Sequence, residues 1–151
     1  MSEQVRWGVL GAANINHDVI PAIKKARQGV VVAIASRSLE KAQSQAEQYD
    51  IPKAYEGYEQ VLNDPTIDAV YIPLANHLHA QWTIHALEAG KHVLCEKPLV
   101  LTLEEADAVI ATAQRTGKIV MEGFAYLHQP QTKRVKELVL SGIIGDLRNI
   151  N

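Results

Sequence analysis

The chain has 151 residues, 47% hydrophobic and 21% charged, with a formal net charge of −2. That length supports one domain burying roughly two-thirds of its unfolded surface, and the charge gives no reason to expect nucleic acid or an anionic membrane as partner. No apolar run reaches the length of a membrane span, the first residues do not read as a signal-peptide core, and Cys95 is alone, so a cytoplasmic chain without disulfides is the expectation.

In chain order, a β-branched and apolar run at 5–10 meets Gly11 and gives way to helical spacing. Ile15, Val19, Ile23 and Ala26 form an apolar stripe, which Pro21 should divide into an opening turn and a second helical segment. Residues 30–35 are continuously apolar, as in a strand buried on both faces. Ser38 caps a helix reaching about Tyr49, with Glu40 in its first turn. A brief strand at 53–55 and a brief helix at 58–62 precede the Asp64-Pro65 turn. The fourth strand, 68–72, ends at Pro73. A helix from about 77 to 89 stops at Gly90, and 91–95 is a fifth strand. Thr102 and Glu105 make a capping box for a helix with Ala106, Val109, Ile110 and Ala113 on its core face. Gly117 closes that helix, and 119–121 is a sixth strand. Residues 132–141 read as a last helix, with Val135, Leu138 and Val139 on one face and Gly142 behind it.

Strands alternating with helices at this spacing predict an α/β fold, a doubly wound parallel sheet of Rossmann type with strand order 3-2-1-4-5-6. Ligands of such sheets bind beyond the carboxyl ends of the strands, where the order switches between strands 1 and 4. The segments following strand ends therefore carry the functional argument.

After strand 1, Gly11, Ala13 and Asn16 occupy the three slots of the G-x-G-x-x-G fingerprint, so only the first glycine is kept. Gly11 suits the tight turn; Ala13 adds a methyl where backbone approaches phosphate; Asn16 places a polar group where helix and strand pack closest. Unpaired N–H groups at the helix start, among Gly11, Ala12, Ala13, Asn14 and Ile15, would take a diphosphate. Taken alone, the loop is read more simply as a βα turn with a convenient glycine that binds no dinucleotide. After strand 2, where NAD binders place an acidic residue, stand Ser36 and Arg37, with Lys41 a helical turn further. A hydroxyl, a guanidinium and an ammonium suit a 2′-phosphate, which favours NADP over NAD. Arg37 is also placed to stack on an adenine. The plainer reading is a solvated Arg and Lys at a helix start.

The segments Trp7-Gly8-Val9-Leu10-Gly11-Ala12, Ser36-Arg37, Pro73-Leu74-Ala75-Asn76-His77-Leu78-His79 and Ala89-Gly90-Lys91-His92-Val93-Leu94-Cys95-Glu96-Lys97-Pro98-Leu99 occur in one order and spacing. Together they resemble the N-terminal domain of the Gfo/Idh/MocA oxidoreductases, over essentially the whole chain. The resemblance implies that Glu96 bonds ribose hydroxyls and that Lys97 is the catalytic lysine. It also implies that Pro73, Leu74, Asn76 and His79 follow the cofactor, His79 beside the nicotinamide, and that 122–126 run toward the substrate. A cis bond before Pro98 would aim Lys97 inward. The chemistry fits independently. An ammonium near a developing alkoxide eases loss of the hydroxyl proton, and a lysine desolvated beside the cofactor can titrate near neutral pH. Lys97 is then either the general acid/base or an electrostatic positioner. His77, His79 and Cys95 lack the further ligands that zinc spacing requires, so no metal is expected; His17, His85 and His92 are structural or solvated, and Cys95 is a packing residue.

Two features depart from the family pattern. Tyr126-Leu127-His128-Gln129-Pro130 has Leu127 at a usually basic position and His128 one place early, so the loop names no substrate. The chain also ends within residues 145–151, which resemble the first strand of the family's second domain. The expectation is a dinucleotide-binding domain at 1–123, then a connecting loop, helix and strand at 124–151. It would bind NADP(H) for hydride transfer with a sugar, polyol or related secondary alcohol, be incomplete for catalysis alone, and form a homo-oligomer through an apolar face. A non-catalytic NADP-binding sensor or scaffold is the alternative.

Overall fold

A computed structural model describes residues 4–149. The elements are β1 (Val5–Leu10), α1 (Asn16–Lys25), β2 (Gly29–Ser36), α2 (Leu39–Gln48), β3 (Lys53–Glu56), α3 (Glu59–Leu62), β4 (Ala69–Ile72), α4 (Asn76–Glu88), β5 (His92–Cys95), α5 (Leu103–Thr116), β6 (Val120–Glu122), a 3₁₀ turn (Ala125–His128) and α6 (Pro130–Leu140). The sheet has the order β3-β2-β1-β4-β5-β6, and every pairing is parallel. This is the doubly wound arrangement expected from the alternation of elements.

Side-chain alternation along the strands builds two cores. Leu10, Val70, Ile72 and Val93 pack on one face with Trp82 and Leu87 of α4 and Val61 of α3. Val9, Ile34 and Tyr71 pack on the other with Ile20 and Ile23 of α1 and Ala46 of α2. All four residues of β4 are buried, as a central parallel strand covered on both faces requires. The edge is different. Ile119 and Met121, at the β6 edge, are exposed.

Several expectations change. α1 runs unbroken through Pro21. The proline forfeits only the bond to the His17 carbonyl, and His17 lies on the exposed side, where water can serve it. Ile110 is exposed; it lies about 100° round the helix from buried Val109, and Thr112 takes the core position instead. α6 starts at Pro130 and buries no residue; Val135 of its expected apolar face is exposed. Residues 145–149 are irregular, since none of the six strands pairs with them, and Ile150 and Asn151 of that expected strand lie outside the described residues.

Lys91, expected to begin β5, instead works as a buried fastener. Its Nζ donates to the carbonyls of Asp64 at 2.7 Å and Ile67 at 2.9 Å, and burial pushes its ammonium below the ordinary lysine value. Asp64 organises the same loop. Its carboxylate accepts from Lys53 Nζ at 2.6 Å, Thr66 Oγ1 at 2.6 Å and Thr66 N at 2.8 Å. The Lys53 bond first, then the Thr66 hydroxyl, hold the carboxyl well below the usual range against the opposing effect of burial.

Asp64→Asn should therefore lower unfolding free energy at pH 7 by about 1–3 kcal/mol. Because the native state favours the ionised carboxylate, its contribution is complete above the ordinary aspartate value near 4 and fades as pH falls through the lower folded value. Urea unfolding from pH 7 down to 2 should show the variant and the parent converging only below about pH 4.

Candidate functional site

The β1–α1 connection turns on Gly11, at φ +130°. Its N–H donates to the Ala35 carbonyl at 2.8 Å, and so ties the turn to the end of β2. A β-carbon there would stand 3.0 Å from Leu74 Cδ2 and 3.6 Å from the Pro73 carbonyl. The tight turn thus lies directly against the segment after β4, which places Gly11, Pro73 and Leu74 together at the switch point. Among the described residues, the N–H groups of Ala12, Ala13, Asn14 and Ile15 donate to no backbone carbonyl, and Ile15, the N-cap of α1, offers no side-chain cap. Open donors at a helix start carry the positive end of its dipole and accommodate anionic oxygens.

Asn16, at the third fingerprint slot, is fully buried. Its Nδ2 donates to the Gly11 carbonyl at 2.8 Å and to Gln45 Oε1 at 2.7 Å. The polar group that sequence made awkward is thus bonded through its nitrogen, while Oδ1 has no hydrogen-bond partner among the described residues. Sequence reading missed Gln45; nothing in the spacing of α2 marks it.

At the end of β2, Ser36 is buried and Arg37 and Lys41 are exposed. Ser38 caps α2, its hydroxyl accepting from Lys41 N at 3.4 Å. Ser36, Arg37, Ser38 and Lys41 line one cavity of about 330 Å³. Arg37 also borders a second, of about 410 Å³, with Tyr58, His77, Leu78, Gln81 and Trp82. Burial pushes the Tyr58 hydroxyl up, and the neighbouring Arg37 guanidinium opposes that shift. One cavity is small, cationic and hydroxylated; the other is flanked by aromatic rings. They suit a phosphate and a planar base respectively.

The ends of β4 and β5 are joined by backbone and side chains. Glu96 N donates to the Ile72 carbonyl at 3.0 Å, and the Tyr71 hydroxyl donates to Glu96 Oε1 at 2.8 Å. Burial, then the bond to that carboxylate, pushes the Tyr71 phenol far up. A hydroxyl inside an otherwise apolar strand was the available signal for this partner. Glu122 accepts from Leu99 N at 2.8 Å. The Lys97–Pro98 bond is cis. Asn76 opens α4 and is exposed.

His79 is a core residue at the start of α4. It is fully buried, with Nδ1 2.7 Å from the Pro98 carbonyl and Nε2 2.8 Å from the Leu74 carbonyl. The ring lies between two loop carbonyls and donates its N–H to one of them. The Lys97 side chain is exposed. No group of three or more metal-ligating side chains occurs among the described residues. Cys95 is buried, its thiol pushed up to about 12 by burial, as for a packing residue.

Strand ends, open N–H groups and paired cavities define a dinucleotide-binding domain of Rossmann type. The model of the Gfo/Idh/MocA oxidoreductase family, described as an oxidoreductase NAD-binding Rossmann fold, matches residues 5–124, and the chain belongs to that family. It is 47% identical over 97% of its length to an uncharacterized oxidoreductase of Rhizobium meliloti, covering 44% of that protein. It is 46% identical over 89% of its length to D-xylose 1-dehydrogenase (NADP(+)) 2 of Haloferax volcanii, covering 42%. The crystal structure of KijD10, a 3-ketoreductase from Actinomadura kijaniata in complex with NADP and TDP-benzene, superposes with a TM-score of 0.91. Sequence identity there is 39%, covering 97% of this chain and 45% of that one. The chain thus spans less than half the length of these relatives.

Gly11→Ala places a β-carbon in a left-handed conformation against Leu74. It should cost about 1–3 kcal/mol in urea unfolding and weaken nicotinamide dinucleotide binding in a fluorescence titration.

Proposed function

We propose that this chain binds NADP(H) and serves as the cofactor-holding part of an oxidoreductase acting on a sugar, polyol or related secondary alcohol. The observation that carries the reading is the pairing of two sites of complementary chemistry. The open N–H groups of residues 12–15 suit a diphosphate, and the cavity of Ser36, Arg37, Ser38 and Lys41 suits a 2′-phosphate. The neighbouring cavity with Tyr58 and Trp82 takes the adenine, with Arg37 between the two. The names of the relatives support this reading, since they include an NADP-dependent xylose dehydrogenase and a ketoreductase structure with NADP.

Glu96, oriented by Tyr71, receives ribose hydroxyls. Pro73, Leu74 and Asn76 border the cofactor's path over the ends of β1 and β4. The bound nicotinamide supplies the hydride acceptor or donor. Lys97 works at the substrate hydroxyl: it takes up or steadies the proton as the oxygen becomes a carbonyl, and returns it in the reverse direction. Residues 1–123 form the cofactor unit, and 124–151 lead from it toward the substrate side. Solvent exposure of Lys97 fits a side chain that meets a substrate held by other parts of the protein.

NADPH should bind more tightly than NADH in a fluorescence titration, and Arg37→Ala should reduce that preference by about ten- to a hundredfold. An unchanged ratio would remove the assignment of NADP.

Lys97→Ala should reduce turnover of polyol substrates by about 10²–10⁴-fold while leaving the NADPH dissociation constant nearly unaltered. Steady-state rates set beside titrations of the same preparation give both values.

A further inference from the structure

The amide pair Asn16–Gln45 reaches beyond that assignment, while resting on it. Asn16 Nδ2 spends both hydrogens, one on the Gly11 carbonyl at 2.8 Å and one on Gln45 Oε1 at 2.7 Å. Gln45 Nε2 in turn donates to the Ala13 carbonyl at 3.3 Å. Two carbonyls of the β1–α1 loop are therefore held by side-chain amides. In a trans peptide the C=O and the following N–H point in opposite directions. Holding the carbonyl of Gly11 fixes the N–H of Ala12, and holding that of Ala13 fixes the N–H of Asn14, each directed away from the amide pair. Neither N–H has a backbone acceptor among the described residues. Gln45 also sits one helical turn after Lys41 on α2, so the same contact ties the loop to the helix that carries the cationic cavity.

We propose that Gln45, acting through Asn16 and the Ala13 carbonyl, is a positioning residue that pre-aims the loop's N–H groups at the cofactor diphosphate. It replaces the close backbone packing that a third glycine provides elsewhere. Asn16 is too deeply buried for a clean test, since its loss endangers folding. Gln45 is only partly buried, and Gln45→Met keeps the volume while deleting both hydrogen bonds.

The experiment measures dissociation constants of NADPH and of adenosine 2′-monophosphate, which lacks the diphosphate, for the parent and Gln45→Met, with thermal unfolding as a control. The expected result is NADPH weakened about tenfold, adenosine 2′-monophosphate changed by less than about twofold, and the melting transition lowered by only a few degrees. A purely structural role would weaken both ligands together. That result, or an unchanged NADPH constant, overturns the proposal while leaving the NADP assignment standing. If the parent binds neither ligand, the assignment itself fails and the role of Gln45 falls with it.

Discussion

Gly11 at φ +130° is the constraint from which the carboxyl edge of this sheet is built. A side chain there would meet both an unfavourable backbone region and Leu74. With none, β1 can stop against β2, reverse, and start α1 within a few residues. That abrupt start strands the N–H groups of 12–15 beyond the strand ladder and outside the helix. Donors in that state must face water or an anion. The diphosphate half of the proposed site follows from this single turn more directly than from any side chain.

A turn that tight leaves carbonyls as well as donors to satisfy, and the chain answers with buried polar side chains. Asn16 and Gln45 hold the first loop. His79 stands between the carbonyls of Leu74 and Pro98 and donates to one of them. Lys91 bonds those of Asp64 and Ile67 at the opposite end of the sheet. In each case a side chain satisfies loop backbone that no ladder reaches, the condition under which polar groups are tolerated in a core. Three of these residues look, in sequence alone, like ligand groups, misfits or surface charges.

That explains what could be read in advance. The order of elements, the sheet order and the segments at strand ends follow from apolar periodicity and punctuation by glycine and proline, which are local properties. Partners are not local. The family resemblance places His79 along the cofactor, yet only the fold brings the carbonyl of Pro98, 19 residues away, against its ring. Gln45 lies 29 residues from Asn16 on a helix face with nothing to distinguish it. Pro21 misled in the other direction: its rule is local, but a helix already held by Ile20 and Ile23 in the core outweighs one forfeited bond.

These fasteners converge on the residue proposed for chemistry. Before Lys97, the Glu96 carboxylate is held by Tyr71 and the Glu96 N–H by the Ile72 carbonyl. After it, the Pro98 carbonyl lies against the ring of His79 and Leu99 N is held by Glu122. The backbone on both sides of Lys97 is thus fixed to β4, α4 and β6, while its ammonium stands in solvent. A catalytic group needs its anchor fixed within a fraction of an ångström so that little freedom remains to be lost when substrate arrives. It also needs its own end free to reach that substrate. Buried His79, lodged between the carbonyls of Leu74 and Pro98, contributes by packing the loop after Lys97 against the segment after β4.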